Sequence, residues 1–378
     1  MKILELCIFS AGGCGVWQRV KQEAQEFHRL GEDVLIFSSN LEKGSNKIVS
    51  ENDSLDGIKI RRFSAIKLGG ESFMYWFSKK ALKEALAFSP DVIFAHNYRH
   101  LHTLKALKIA KILRKKGKKC KVFLVTHAPF VEGDITRSFI SKWIVRFYDK
   151  LIGPVTLNKF DKILAISKWE IHYLLRAGAR KSKIEYVPNG IPEEFFTQKR
   201  SRAENKILFL GRIAPKKKLE TLLSSIPYIK DKKIKIEIVG PSEKDYLYML
   251  KNLISRLKIS NRIIFSKPIY NLKQKIRKID SCSLFVLPSR VEGMPQALIE
   301  AMARGKIVVG SDSIAIRDLI KDGKNGYLFE FNNPESLAEK INLALNKNNK
   351  RLGINAKNYA KRFRWSRIMT KIYSIIRN

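Results

Sequence analysis

The sequence predicts an α/β protein of two doubly wound parallel-sheet domains, and three observations predict it. Short apolar runs of strand length alternate with stretches of helical spacing along the chain. The alternation stops once, between Asn189 and Asn205, where prolines and charge replace periodicity. The length, 378 residues with 45% hydrophobic content, exceeds what one core usually supports and suffices for two.

The first half opens with a strand at Lys2 to Phe9, a glycine turn at Ser10 to Gly15, a helical stretch at Trp17 to Leu30 and a second strand at Val34 to Ser38, together a βαβ unit. Strands follow at Ile58 to Phe63, Val92 to Ala95, Val122 to Thr126, Ile163 to Ile166 and Ile184 to Val187, the last running into PNGIP at Pro188 to Pro192. A second series begins at Ile207 to Leu210 and continues through Ile234 to Val239, Ile263 to Phe265, Leu284 to Leu287 and Ile307 to Val309. Ile354 to Ile376 reads as helix with a break at Arg364 and Trp365. The expected division is a domain at 1–190, a linker at 191–205, a domain at 206–353 and a final helix at 354–378 returning toward the first domain. Two such sheets are expected to face each other across a cleft, with ligands at the carboxyl ends of the strands.

The most informative loop follows the strand at Leu284 to Leu287 and holds Pro288, Arg290, Glu292, Gly293 and Pro295. Pro295 suits the first helical position, and the helix start after Gly293 offers free N–H groups and a dipole to an anion. Glu292 and Glu300 frame it. A carboxylate accepts bidentate hydrogen bonds from vicinal hydroxyls, so an anion-binding helix start with two acids suits a ligand carrying phosphate and sugar. Two solvated acids on a surface loop and helix fit the same residues. At the start of the second series, Gly211 and Arg212 end a strand, and Lys216, Lys217 and Lys218 stand where a helix begins. Cations there oppose the dipole, which points to a demand other than helix stability. Arg212 and Lys217 could neutralise a diphosphate, although a solvated basic turn has the same composition.

In the first domain the turn of Gly12, Gly13 and Gly15 lies between strand and helix, the setting of a phosphate-binding turn. It lacks G-x-G-x-x-G spacing, and Ser38, Ser39 and Asn40 stand where a dinucleotide-binding acid would be, so hydride chemistry loses support. His127 and His96 each follow a strand and should sit at its carboxyl edge. No G-x-S-x-G, H-E-x-x-H, Walker lysine or Asp-x-Asp occurs.

The formal net charge of +38 is concentrated in residues 101–150, with 13 Lys+Arg against 3 acids, 201–300, with 21 against 9, and 351–378, with 8 against none. Nucleic acid, an anionic membrane and phosphorylated substrates all suit such a chain, as does a Lys-rich source composition. No stacking platform or recognition motif for nucleic acid is present, so none is expected as a partner. Ser72 to Phe88 and Phe139 to Leu151 combine aromatics with lysines, a composition shared by interfacial helices and by helices packed on a sheet. The four cysteines are scattered without metal spacing, and no signal peptide or membrane-length apolar run is seen, which favours a reduced, cytoplasmic setting, with contact on the inner face of the membrane as a further expectation.

Together these residues resemble the retaining GT-B glycosyltransferases of family four, the glycosyl transferases group 1. The E-x7-E element is EGMPQALIEAMARG, Glu292 to Gly305, and GRIAPKKK is similar to the family's G-R-x-x-x-x-K-G, with Lys218 replacing the usual glycine. The turn at Gly12 to Gly15, His127, VPNGI at Val187 to Ile191 and IVGP at Ile238 to Pro241 add to it. The resemblance implies two Rossmann-like domains and a metal-independent, retaining transfer of a sugar from a nucleotide-sugar donor to a glycan or lipid-linked acceptor, with no cofactor. It implies that Arg212, Lys217 and the Gly13 backbone hold the donor diphosphate. Glu300 would hold the ribose, and Glu292, Gly293, Met294 and Gln296 the donor sugar. His127 and Glu292 would be the groups closest to the chemistry. An epimerase of similar architecture and a basic nucleic-acid-binding protein are the rival readings.

Overall fold

The computed structural model describes residues 1–45, 47–67, 74–130, 143, 145–197, 204–346 and 349–377. These form two compact units: the first comprises the described residues of Met1–Phe130, Ile135–Gly190 and Ile368–Asn378, the second those of Ile191–Arg367.

The first unit contains β1 (Lys2–Phe9), β2 (Asp33–Ser39), β3 (Asn52–Leu55), β4 (Ile58–Phe63), the short hairpin β5 (Ile66–Lys67) and β6 (Met74–Tyr75), β7 (Val92–His96), β8 (Lys121–Val125), β9 (Lys162–Ala165) and β10 (Ile184–Tyr186). Its eight-stranded sheet runs β10-β9-β8-β7-β1-β2-β4-β3, parallel throughout except that β3 pairs antiparallel with β4. Helices α1 (Gly15–Arg29), α2 (Lys79–Phe88) and α3 (Leu101–Lys115) supply crossovers. The near-continuous apolar strands are buried on both faces, as parallel sheets require. The sequence misses β3 because NDSL is a polar, mostly exposed edge strand.

The second unit contains β11 (Lys206–Leu210), β12 (Lys235–Val239), β13 (Ile263–Ser266), β14 (Leu284–Leu287), β15 (Ile307–Ser311) and β16 (Tyr327–Phe329), in the parallel order β13-β12-β11-β14-β15-β16. Only three residues long, β16 gives too short a run to read from periodicity. Of the stretch 191–205, Ile191, Phe195 and Phe196 are buried in this unit's core; residues 198–203 lie outside the described residues. The helix Lys350–Ala360 packs into the same core through Ala356 and Ala360. A 3-10 turn at Lys361–Phe363 and the extended Arg364 interrupt the chain before the helix Trp365–Arg377, so the break falls where Arg364 and Trp365 were expected to place it. Beyond Arg367 this helix belongs to the first unit, where Tyr373 packs edge-on against Phe27 of α1 and donates to Glu32.

Each sheet reverses its strand order once, between β7 and β1 in the first unit and between β11 and β14 in the second. Such switch points leave a crevice beyond the carboxyl ends of the strands, where open α/β sheets bind ligands.

Candidate active site

In the second unit the two loops at the switch point are those that carry the predicted residues. The loop after β11 is zipped to the one after β12 by Gly211 N–H to Val239 O, 3.0 Å, and Ile213 N–H to Pro241 O, 2.8 Å. A Cβ on Gly240, whose φ is 150°, would lie 1.9 Å from Gly211 O, so IVGP needs glycine there for backbone approach. Arg212 is exposed on this loop. Pro215–Lys217 form a 3-10 turn, and the α-helix starts only at Leu219, so the three lysines precede the helix rather than open it. Lys218 has φ 50°, a left-handed position where the glycine that the family resemblance leads one to expect would carry no Cβ penalty.

The loop after β14 joins the first through Arg290 N–H to Lys216 O, 2.9 Å, and through an ion pair of Lys217 Nζ with Glu292 Oε1, 2.5 Å. Both side chains of that pair are largely buried, at 13% and 12% exposure, so the attraction is screened less than on an open surface. Pro295 differs from the expected first helical residue. Its ψ of 82° is not helical, so it caps the helix Gln296–Ala303, its carbonyl accepting from Leu298 N–H at 3.1 Å and Ile299 N–H at 3.3 Å. Gly293, Met294 and Gln296 are half-buried around that start. Glu300 is buried one turn on and pairs with Lys275 of the helix Leu272–Ser281 at 2.5 Å. Lys275 was not foreseen, because no motif surrounds it and its partner is 25 residues away.

In the first unit, Gly13 is exposed on the turn after β1, with open space where a side chain would point, while Gly12 (φ 80°) crosses so close to Lys43 that a Cβ there would lie 2.6 Å from Lys43 O. His127 follows β8 half-buried, and both it and Ala128 take left-handed backbone, φ 58° and 53°. Such strain persists only where surroundings impose it. Glu170 imposes it here: its carboxylate accepts from Thr126 Oγ1 at 2.7 Å, Ala128 N–H at 2.9 Å and Ser167 N–H at 2.9 Å. Burial pushes this carboxyl up to about 7, with those donors pulling the other way. His127 Nε2 meets His96 Nδ1 at 2.8 Å, and His96 Nε2 meets Glu5 Oε2 at 2.6 Å. Burial holds His96 well below the usual imidazole range and His127 down at about 3. Glu5 and Glu170 escaped the motif reading, yet an acid inside the apolar run KILELCIF was a visible signal for Glu5.

Glu5, Glu23 and His96 are the one group of three metal-capable side chains among the described residues. Arg19 takes up Glu23 through two hydrogen bonds of 3.0 and 2.7 Å, which satisfies that carboxylate without an ion.

The two aromatic, lysine-containing stretches part company. Trp76 and Phe77 of the first are core residues, Trp76 stacked 5.9 Å from Phe63, so those aromatics serve packing rather than a membrane; residues 72 and 73 lie outside the described residues. In the second, residues 139–142 and 144 lie outside the described residues, while Phe147 and Leu151 are exposed at 60% and 54% beside Arg146 and Lys150, as is Val155 at 57% just beyond the stretch. No helix among the described residues is long and apolar enough to cross a membrane.

Two family models match in succession, Glycosyltransferase Family 4 over residues 13–195 and Glycosyl transferases group 1 over residues 191–362. An uncharacterized glycosyltransferase of Methanocaldococcus jannaschii is 25% identical over 356 residues, 89% of this chain and 87% of its own length. The GalNAc-α-(1→4)-GalNAc-α-(1→3)-diNAcBac-PP-undecaprenol α-1,4-N-acetyl-D-galactosaminyltransferase of Campylobacter jejuni is 26% identical over 305 residues, 78% of this chain and 77% of its own. Anabaena HepE, solved with UDP and glucose, has the same fold, with a TM-score of 0.75 at 19% identity over 99% of this chain and 98% of that one. With both units matched in chain order, the chain belongs to glycosyltransferase family 4, the glycosyl transferases group 1, and is a glycosyltransferase of GT-B fold.

Proposed function

We propose that this enzyme transfers a sugar from a nucleotide diphosphate donor to a hydroxyl of a glycan or lipid-linked acceptor, with retention and without a metal ion. The observation that carries this reading is the Lys217–Glu292 pair at the second switch point, beside Arg212 and the start of the helix Gln296–Ala303. A diphosphate would compete for Lys217 and free Glu292 to accept hydrogen bonds from sugar hydroxyls. Arg212 and Lys217 then supply the cationic charge that a metal would otherwise bring to the leaving group, and Glu300 holds the ribose.

As the anomeric carbon–oxygen bond breaks, its electron pair goes to the diphosphate. The acceptor hydroxyl forms the new bond on the same face and its proton passes to the departing phosphate oxygen, giving glycoside and nucleoside diphosphate. Stabilisation is electrostatic, from groups fixed before the reaction. The undecaprenol-linked acceptor named for the Campylobacter relative and the UDP and glucose of HepE support the substrate classes. For a lipid-linked acceptor, the exposed Phe147, Leu151 and Val155 with Arg146 and Lys150 suit the cytoplasmic face of an anionic membrane.

Calorimetry with UDP, GDP and ADP tests the donor site. One of them should bind, and Arg212→Ala should weaken it roughly ten- to a hundredfold, the worth of a charge-assisted hydrogen bond; undiminished binding in that variant removes the assigned role. Flotation with anionic vesicles at low salt tests the membrane face, which is wrong if the protein stays at the bottom.

A further inference from the structure

Glu5 lies in the middle of β1 with no exposure, between the buried Leu4 and Leu6. A carboxyl there needs a compensating partner, since a lone buried charge is costly. Sheet register provides one. Glu5 pairs with Phe94 of β7, and His96 of β7 pairs with Val125 of β8, so Glu5, His96 and His127 come from three adjacent strands or their ends. They form a single line of two hydrogen bonds, 2.6 Å from Glu5 Oε2 to His96 Nε2 and 2.8 Å from His96 Nδ1 to His127 Nε2.

A neutral imidazole has one donor and one acceptor nitrogen, so one proton decides the whole line. If it sits on Glu5, His96 accepts at Nε2 and donates from Nδ1. His127 then accepts at Nε2 and carries its hydrogen on Nδ1. If Glu5 is ionised and both rings are neutral, every assignment reverses and His127 Nδ1 is bare.

The surroundings select the first arrangement. Glu5 Oε1 is buried with no hydrogen-bond partner, which a neutral carbonyl oxygen tolerates far better than a charged one. Arg19 of α1, whose charge acts on this acid, bonds Glu23 and Pro188 O, the latter at 2.8 Å. His102 of α3 donates Nε2–H to His96 O at 2.8 Å and adds no negative charge. Burial, and after it the charge of Glu23, raises the Glu5 carboxyl well above its ordinary range, and burial lowers both His96 and His127. Among the described residues, His127 Nδ1 makes no hydrogen bond of its own, and the residue is half-buried at the carboxyl edge of the sheet.

We propose that Glu5 is a positioning residue: as the protonated end of the Glu5–His96–His127 line, it fixes the tautomer of His127 so that Nδ1 presents an N–H donor to an oxygen of the bound sugar. The last clause rests on the proposed function; the tautomer does not.

Nitrogen-15 NMR of ligand-free protein labelled at histidine reads the tautomer directly. The wild type should show His96 and His127 protonated at Nδ1 and bare at Nε2. Glu5→Gln, whose amide can still donate to His96 Nε2, should keep that pattern, whereas Glu5→Met should give mixed tautomers at both rings. A wild-type His127 protonated at Nε2, a doubly protonated His96, or an unmoved His127 in Glu5→Met would each overturn the proposal, and the wild-type spectrum suffices if Glu5→Met does not fold. In turnover, Glu5→Met should raise the donor KM by about two- to tenfold, the worth of one neutral hydrogen bond, with binding of the bare nucleoside diphosphate unchanged. An unchanged KM sinks the sugar contact alone, and absence of any nucleotide-sugar binding sinks the functional reading while leaving the tautomer assignment intact.

Discussion

Lys217 and Glu292 neutralise each other, although the family resemblance gives them separate tasks. That pairing predicts opposite effects of one substitution on two measurements. Glu292→Gln removes a competitor for Lys217, so the nucleoside diphosphate should bind as well as before or severalfold better. Turnover should fall by about a hundredfold, as when one preorganised electrostatic contact is lost. Equal loss of binding and turnover would show that Glu292 supports the phosphate site instead. Lys218 gives a second test. Its left-handed backbone costs about 1 kcal/mol relative to glycine, so Lys218→Gly should raise the urea midpoint slightly without altering nucleotide affinity. Arg212, Lys217, Glu292 and Glu300 were legible in the sequence because they sit in short motifs whose spacing is local. Glu5 and Glu170 were not, since their partners lie up to 91 and 44 residues away and only the sheet brings them together.

At the scale of elements, the carboxyl ends of β7 and β8 and the start of α3 gather four histidines that the fold keeps neutral. Burial holds His100 at about 3, His102 at about 4, His127 at about 3 and His96 well below its ordinary 6.5. In the unfolded chain each takes a proton near 6.5, so below that pH the unfolded state binds more protons and stability drops as pH falls. Glu5 and Glu170 act with opposite sign, because burial raises both and they keep protons that the unfolded chain has lost above 4.5. Four groups against two leave a net slope of up to about 3 kcal/mol per pH unit between pH 6.5 and 4.5. The urea midpoint should therefore be clearly lower at pH 5.5 than at pH 7.5; equal midpoints would mean that these histidines titrate normally in the fold. Most strands were legible because a buried parallel strand is an uninterrupted apolar run. The exposed edge β3 and the three-residue β16 were not, since neither carries such a run.

For the whole molecule, the alternation of strand and helix specified two parallel sheets. The single stretch without periodicity preceded the second, whose core begins at Ile191, Phe195 and Phe196. Strand order was not legible, because nothing local says that β1 returns to the middle of its sheet. Yet that order gives each unit its crevice and sets the predicted residues at its mouth. The net charge of +38 far exceeds what Arg212 and Lys217 contribute at the second switch point. The central claim is that this chain handles a nucleotide-sugar, and the most direct test is a mass-spectrometric screen of folded enzyme with UDP-, GDP- and ADP-sugars. The account predicts that one donor is slowly cleaved to nucleoside diphosphate and sugar, and that Arg212→Ala strongly lowers the signal. Failure of every donor to bind or react would contradict it.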